Sequence, residues 1–173
     1  ALTTLLAATP TLATIRVPAE MAKVTTPPDL SGLAWAAPLE RWLVVSDDTG
    51  RGSNKHAPEL LAMSAAGELD ATPVPITGID TLDDPESICA GPPGTWFLVT
   101  SHSMNKKGKL PKARRQLLEL KLAGRSLAVV RSSDLTTALG TGIDVEAVAW
   151  HDGALFVGLK APEAAVYRLD AKG

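Results

Sequence analysis

An acid, a short apolar strand, a turn and a second apolar strand follow one another three times in this chain. The copies begin DLSGLAW at Asp29, DPESICA at Asp84 and DVEAVAW at Asp144, and run on into RWLVVSDD, TWFLVTSH and ALFVGLK. A unit that recurs at such a spacing is one supersecondary element that cannot bury its apolar face alone, so it must stack on its neighbours. That requirement constrains the fold more than any single residue does.

Within each copy, positions alternate with period two, the pattern of strands. Ser31, Glu86 and Glu146 share one register, and Leu33, Ile88 and Val148 follow on that face. Gly32, Ser87 and Ala147, then Ala34, Cys89 and Ala149, take the other face. Small residues on one face suit a strand crowded by its neighbours. Cys89, aligned with two alanines, is therefore expected as a buried small residue and not as a nucleophile. Third strands are expected at ELLAMS, QLLELKL and AVYRLD, with hairpins at Gly67, Gly124 and Gly173, where glycine supplies the positive φ of a tight turn. Outer strands fall at ELDATPVPIT and SLAVVRSS, where prolines are tolerated on an edge. One further strand, TLATIRV, precedes the first copy.

The sum is about twelve strands in an all-β chain, or three four-stranded blades of a β-propeller. Residues 29–83 make the first blade, 84–143 the second and 144–173 an incomplete third. Residues 1–28 carry the outer strand of a preceding or partner blade. Three wedges cannot close a ring and would leave two raw flanks. The chain is thus expected as a portion of a six- or seven-bladed ring, completed by a second copy or by the remaining half of the propeller.

Composition narrows the partners. With 173 residues, 45% hydrophobic, the chain can bury a real core. A net charge of −2 gives no signature of nucleic-acid or membrane-surface binding. No apolar run approaches the roughly 20 residues that span a bilayer. The single Cys89 excludes an internal disulfide. The opening ALTTLLAATPTLA, apolar and then small, leans towards a periplasmic or secreted protein.

Antiparallel pairing sets the start of each first strand beside the end of its second. Asp48, His102 and Lys160, each three residues after the aligned Val45, Val99 and Val157, should then gather with Glu86 and Glu146 at one mouth of the channel. These five are the expected ligand-binding residues. Glu86, Glu146 and Asp48 offer oxygens to a hard cation such as Ca²⁺. Alternatively, the acids hold register by accepting from loop amides. The loop KKGKLPKARR rises from the same mouth with Lys106, Lys107, Lys109, Lys112, Arg114 and Arg115, six of seventeen basic residues. It would recruit an anion or an acidic partner, or it is simply a solvated loop. It lacks the aromatics that stack on single-stranded nucleic acid. No phosphate-binding glycine loop, GxSxG elbow or CxxC pair occurs.

At these residues the chain resembles a bacterial β-propeller family catalogued as a domain of unknown function, number thirty-six-sixteen. The resemblance rests on DPESIC from Asp84, on TSHS from Thr100 with the basic KKGK after it, on DVEAVA from Asp144 and on GLKAP from Gly158. The family has glycine where Ser87 and Ala147 stand, and arginine where Lys160 stands, a change that loses bidentate anion binding. The first copy, DLSGLAW to VVSDD, also resembles phytase-like and SdiA-regulated propeller domains. The resemblance implies a longer parent propeller. Its phytase-like side implies calcium-assisted hydrolysis of a phosphoester or lactone.

Three functions are thus open. The first is a module that binds a small ligand or an acidic protein at its channel mouth. The second is a Ca²⁺-assisted hydrolase, and the third a structural part of a larger assembly. The sequence does not decide whether the chain is an enzyme.

Overall fold

The period-two pattern becomes eleven strands in the computed structural model, which describes residues 29–47 and 56–170. β1 (Leu30–Ala36), β2 (Arg41–Ser46), β3 (Glu59–Met63) and β4 (Val74–Thr77) form one antiparallel meander. β5 (Pro85–Ala90), β6 (Thr95–Thr100), β7 (Gln116–Ala123) and β8 (Ser126–Asp134) form a second. β9 (Asp144–His151), β10 (Ala154–Ala161) and β11 (Ala165–Asp170) form a third. The helix α1 (Thr136–Leu139) and two 3-10 turns are the other regular elements described. The chain is all-β, and among the described residues no helix is long and apolar enough to cross a membrane. The strand expected at TLATIRV and the hairpin expected at Gly173 lie outside the described residues.

Two expectations need correction. The outer strand of the first repeat is regular only over Val74–Thr77, with a single bridge from Leu69 to Met63. Pro73 and Pro75 lack the N–H groups a longer ladder would need. Nor do the first two meanders form separate sheets. β4 pairs with β8 in parallel through Ile76 with Leu127 and Thr77 with Ala128. This makes one eight-stranded sheet of order β1-β2-β3-β4-β8-β7-β6-β5, which curls until β1 packs against β5.

β6, in the second meander, is buried on both faces along all six of its residues. On one side Ile88, Trp96, Leu98, Leu118 and Leu120 meet Ala34, Ala36, Leu43, Val45 and Leu60. On the other, Phe97, Val99 and Leu117 meet Val145, Val148, Leu155 and Val157. Alternation along the strands makes this possible, because odd and even residues serve different neighbours. Among the described glycines, Gly32 lies closest to the backbone of another strand. A Cβ there would stand 3.1 Å from Ser87 Cα and 3.3 Å from the Ile88 nitrogen. The hairpin from β9 to β10 turns at Asp152 and Gly153, with φ of 46° and 77°. Two successive positive φ values mark a turn whose twist matches its strands.

Candidate functional site

Each first strand carries a bulge near its start, and the bulges place the acids. Leu30 pairs with Ser46 and Gly32 with Val45, leaving Ser31 as the extra residue. Pro85 pairs with Thr100 and Ser87 with Val99, leaving Glu86. In the third meander Val145 pairs with Leu159 and Ala147 with Gly158, leaving Glu146. An extra residue bends the strand and re-aims its side chain, a device common beside functional sites. The equivalence of Ser31, Glu86 and Glu146 thus has a structural cause.

The same pairings correct the partner register. Gly158, not Val157, is the counterpart of Val45 and Val99. The residues equivalent to Lys160 are therefore Asp47 and Ser101, one position before the expected Asp48 and His102. Each meets an acid or hydroxyl of its own first strand or the turn before it. Ser31 Oγ donates to Asp47 Oδ1 at 2.5 Å, and Ser101 Oγ donates to Asp84 Oδ2 at 2.6 Å. Lys160 Nζ donates to Glu146 Oε1 at 2.9 Å and lies 3.8 Å from Asp144 Oδ2. Asp48 lies outside the described residues.

His102 is not at the acidic cluster. Its side chain is fully buried, and Nε2 lies 3.0 Å from the Gly140 carbonyl oxygen. Its N–H donates to the Arg114 carbonyl at 2.6 Å, with φ at 58°. The left-handed backbone turns the ring away from the strand end, so it ties the loop after β6 to the loop before β9.

Asp47, Asp84 and Glu86 bring one carboxylate oxygen each within 4.8 Å of the others, from two different meanders. The third meander adds charge. Burial, then Asp47, Asp84, Glu146 and Asp144, push the Glu86 carboxyl up to about 8. Burial and Glu146 also raise Asp144, against the opposing pull of Lys160. Glu146 and Glu86 thus share one electrostatic environment, but Glu146 has Lys160 as a cationic partner.

The basic loop divides in two. Lys106, Lys107, Lys109 and Lys112 are exposed. Asn105 organises its tip, accepting through Oδ1 from the N–H groups of Lys107 and Lys109 at 2.9 and 3.1 Å. Arg114 and Arg115 instead serve the fold. Arg114 reaches Asp83 at 3.1 Å and Asp84 at 2.9 Å, and donates to Ser103 Oγ. Arg115 pairs with Asp134 at 3.0 Å. Both guanidiniums, expected to face an anion or partner, already have carboxylates of this chain. Sequence reasoning missed Asp47, Asp83 and the inward role of Arg114. The double-acid runs Asp47-Asp48 and Asp83-Asp84 were the only signal for the first two.

Chemically, three carboxylate oxygens at this spacing could hold a hard cation. Ca²⁺ takes oxygen ligands at about 2.3–2.6 Å, so two ligands on opposite sides of the ion lie about 5 Å apart, the span these oxygens share. Arg114 sets one positive charge against Asp83 and Asp84, so the cluster keeps an excess of carboxylate that a proton on Glu86 or a bound cation would offset.

No protein-family model and no curated protein matches the chain. Among solved structures it is similar to the crystal structure of the computationally designed Ika4 protein, at 10% identity and a TM-score of 0.35, covering 91% of this chain and 99% of that one. A likeness of that degree decides neither fold nor function.

Proposed function

We propose that this chain is a three-wedge portion of a β-propeller of the thirty-six-sixteen type, a binding module whose acidic mouth holds a cationic ligand, Ca²⁺ being the simplest. The meander order and the nesting of β1, β5 and β9 support the wedge reading. One observation carries the binding reading: Asp47, Asp84 and Glu86 converge, and burial together with the neighbouring carboxylates pushes the Glu86 carboxyl up to about 8. A carboxylate that keeps its proton because of burial and like-charged neighbours is relieved when a divalent cation replaces that proton. Ca²⁺ binding should therefore release a proton and strengthen with pH.

Calorimetric titration of the chain with Ca²⁺ in two buffers of different ionisation enthalpy tests this. The expected result is binding that releases close to one proton at pH 7 and is lost in Glu86→Gln and Asp47→Asn. No heat at millimolar Ca²⁺, or binding indifferent to both substitutions, would overturn the reading.

A further inference from the structure

Among the described residues, the contacts between successive meanders use the same positions twice, and one half of such a contact stands exposed on β1 and the other on β9. At the internal contacts Ile88 and Val148 are 4% and 6% exposed, whereas Leu33, in the same register of the first meander, is 52% exposed. The opposite faces show the reverse. Ala34 is buried against the second meander, and Cys89 is packed against the third. Ala149, their counterpart, is exposed with Ala147 on the free face of β9. Val166 extends that face across β11 at 73% exposure, paired with Gly158, which pairs in turn with Ala147.

We propose that these two surfaces are complementary halves of one docking interface, and that a second copy of this chain binds there head to tail. Leu33 and Trp35 of each copy would lie on Ala147 and Ala149 of the other. The occupant follows from self-complementarity: the chain displays both the large apolar half and the small-residue half of a contact it already makes twice. The small half presents little side-chain bulk: Ala147 and Ala149 stand exposed on β9, and the residue paired with Ala147 on β10 is Gly158. On the Leu33 flank Val44, Leu61 and Met63 are already buried. The open part is therefore the innermost strand, where the internal contacts are also closest. Closure at two copies rests on the wedge reading above, because three wedges of six turn through half a circle. Head-to-tail contacts that close this way form a ring with two-fold symmetry and do not grow into filaments.

Light scattering on the 173-residue chain at about 50 μM, with charge substitutions on each half, tests the proposal. Wild type should show twice the 18.1 kDa chain mass. Leu33→Glu and Ala149→Arg should each be monomeric with unchanged circular dichroism, since both side chains are exposed in the single chain. An equimolar mixture of the two should recover the dimer mass. In the mixed pair one interface is wild type, and the other sets glutamate against arginine. A wild-type monomer, a filament, a dimer indifferent to Ala149→Arg, or failure of the mixture to rescue would each overturn it. Ca²⁺ titration of monomeric Leu33→Glu separates the two proposals, because Asp47, Asp84 and Glu86 belong to one chain.

Discussion

Glu86 at the start of β5 and Asp47 at the end of β2 belong to different meanders, yet their carboxylate oxygens lie within 4.8 Å. A bulge in each first strand brings them together, one by re-aiming Glu86 and the other by setting Asp47 opposite Ser31. The pair spans the contact between the first two meanders, so like charge is concentrated where β1 and β5 pack together. A cation there would fasten two meanders at once.

The first prediction follows from the Glu86 proton. Its carboxyl sits at about 8 in the fold against an ordinary 4.5, so between these values the native state holds a proton that the unfolded chain has lost. Stability should therefore fall as pH rises from about 4.5 to 8 and level off above. Glu86→Gln removes the dependence. After allowance for solvent screening of a partly exposed group, we expect a gain of about 1–2 kcal/mol at pH 8.5 and none at pH 4. Urea denaturation across this range, in chelator, checks it. Parallel curves for the two proteins would contradict it.

Arg114 should matter in the opposite direction. Its guanidinium is the counter-charge for both Asp83 and Asp84, with only a fifth of its side chain exposed. Arg114→Gln leaves those acids beside Asp47 and Glu86 with one positive charge fewer. The expected cost is about 2–3 kcal/mol without Ca²⁺. Added Ca²⁺ should restore more of the melting temperature in this variant than in wild type, because the ion replaces the missing charge. Equal Ca²⁺ shifts in both would place Arg114 outside the site's electrostatics.

The all-β class and the eleven described strands were legible because period-two alternation and turn glycines survive in single residues. Which residues meet at the strand ends was legible only to within one position. Bulges leave no mark in a pattern of apolar and polar letters, and a one-residue phase slip between the second strands moved the expected contacts from Asp47 and Ser101 to Asp48 and His102. His102 shows the same limit. Its neighbours Ser101 and Ser103 both reach Asp84, but its own positive φ sends the ring into the interior. The parallel joint between β4 and β8 was invisible for another reason. It spans two residue pairs and connects segments fifty residues apart.

Cys89 gives a third prediction. Burial pushes its thiol up to about 11 from an ordinary 9, against partial relief from the backbone at Phe97 and Trp150. At pH 8 the thiolate fraction should be about 100-fold lower than in the unfolded chain. Labelling by an aromatic disulfide should be slower than in urea by at least that factor. Fast native labelling would mean that the second and third meanders separate readily at Cys89. Slow labelling that quickens in Leu33→Glu would tie that contact to the dimer.

The last prediction concerns how tightly the first meander sits on the second. At Gly32 the atoms that would meet a new Cβ are all backbone: Ser87 Cα at 3.1 Å, Ile88 N at 3.3 Å and Glu86 O at 3.4 Å. No rotamer change can relieve them, so β1 and β5 must move apart. Gly32→Ala should cost about 1–3 kcal/mol, the range for overpacking a well-fitted contact. The displaced strand, β5, is the one that carries Glu86, whose own carbonyl oxygen is among these contacts. Gly32→Ala should therefore also weaken Ca²⁺ binding severalfold, although residue 32 offers no ligand. Gly67 is the control. A Cβ there meets nothing within 4 Å, but its φ of +83° makes alanine strained, so Gly67→Ala should lose about 1 kcal/mol of stability and leave Ca²⁺ affinity unchanged. If both variants lost stability while neither changed affinity, the spacing of β1 and β5 would have no part in the site. If Gly32→Ala matched wild type in both, the close approach itself would be wrong.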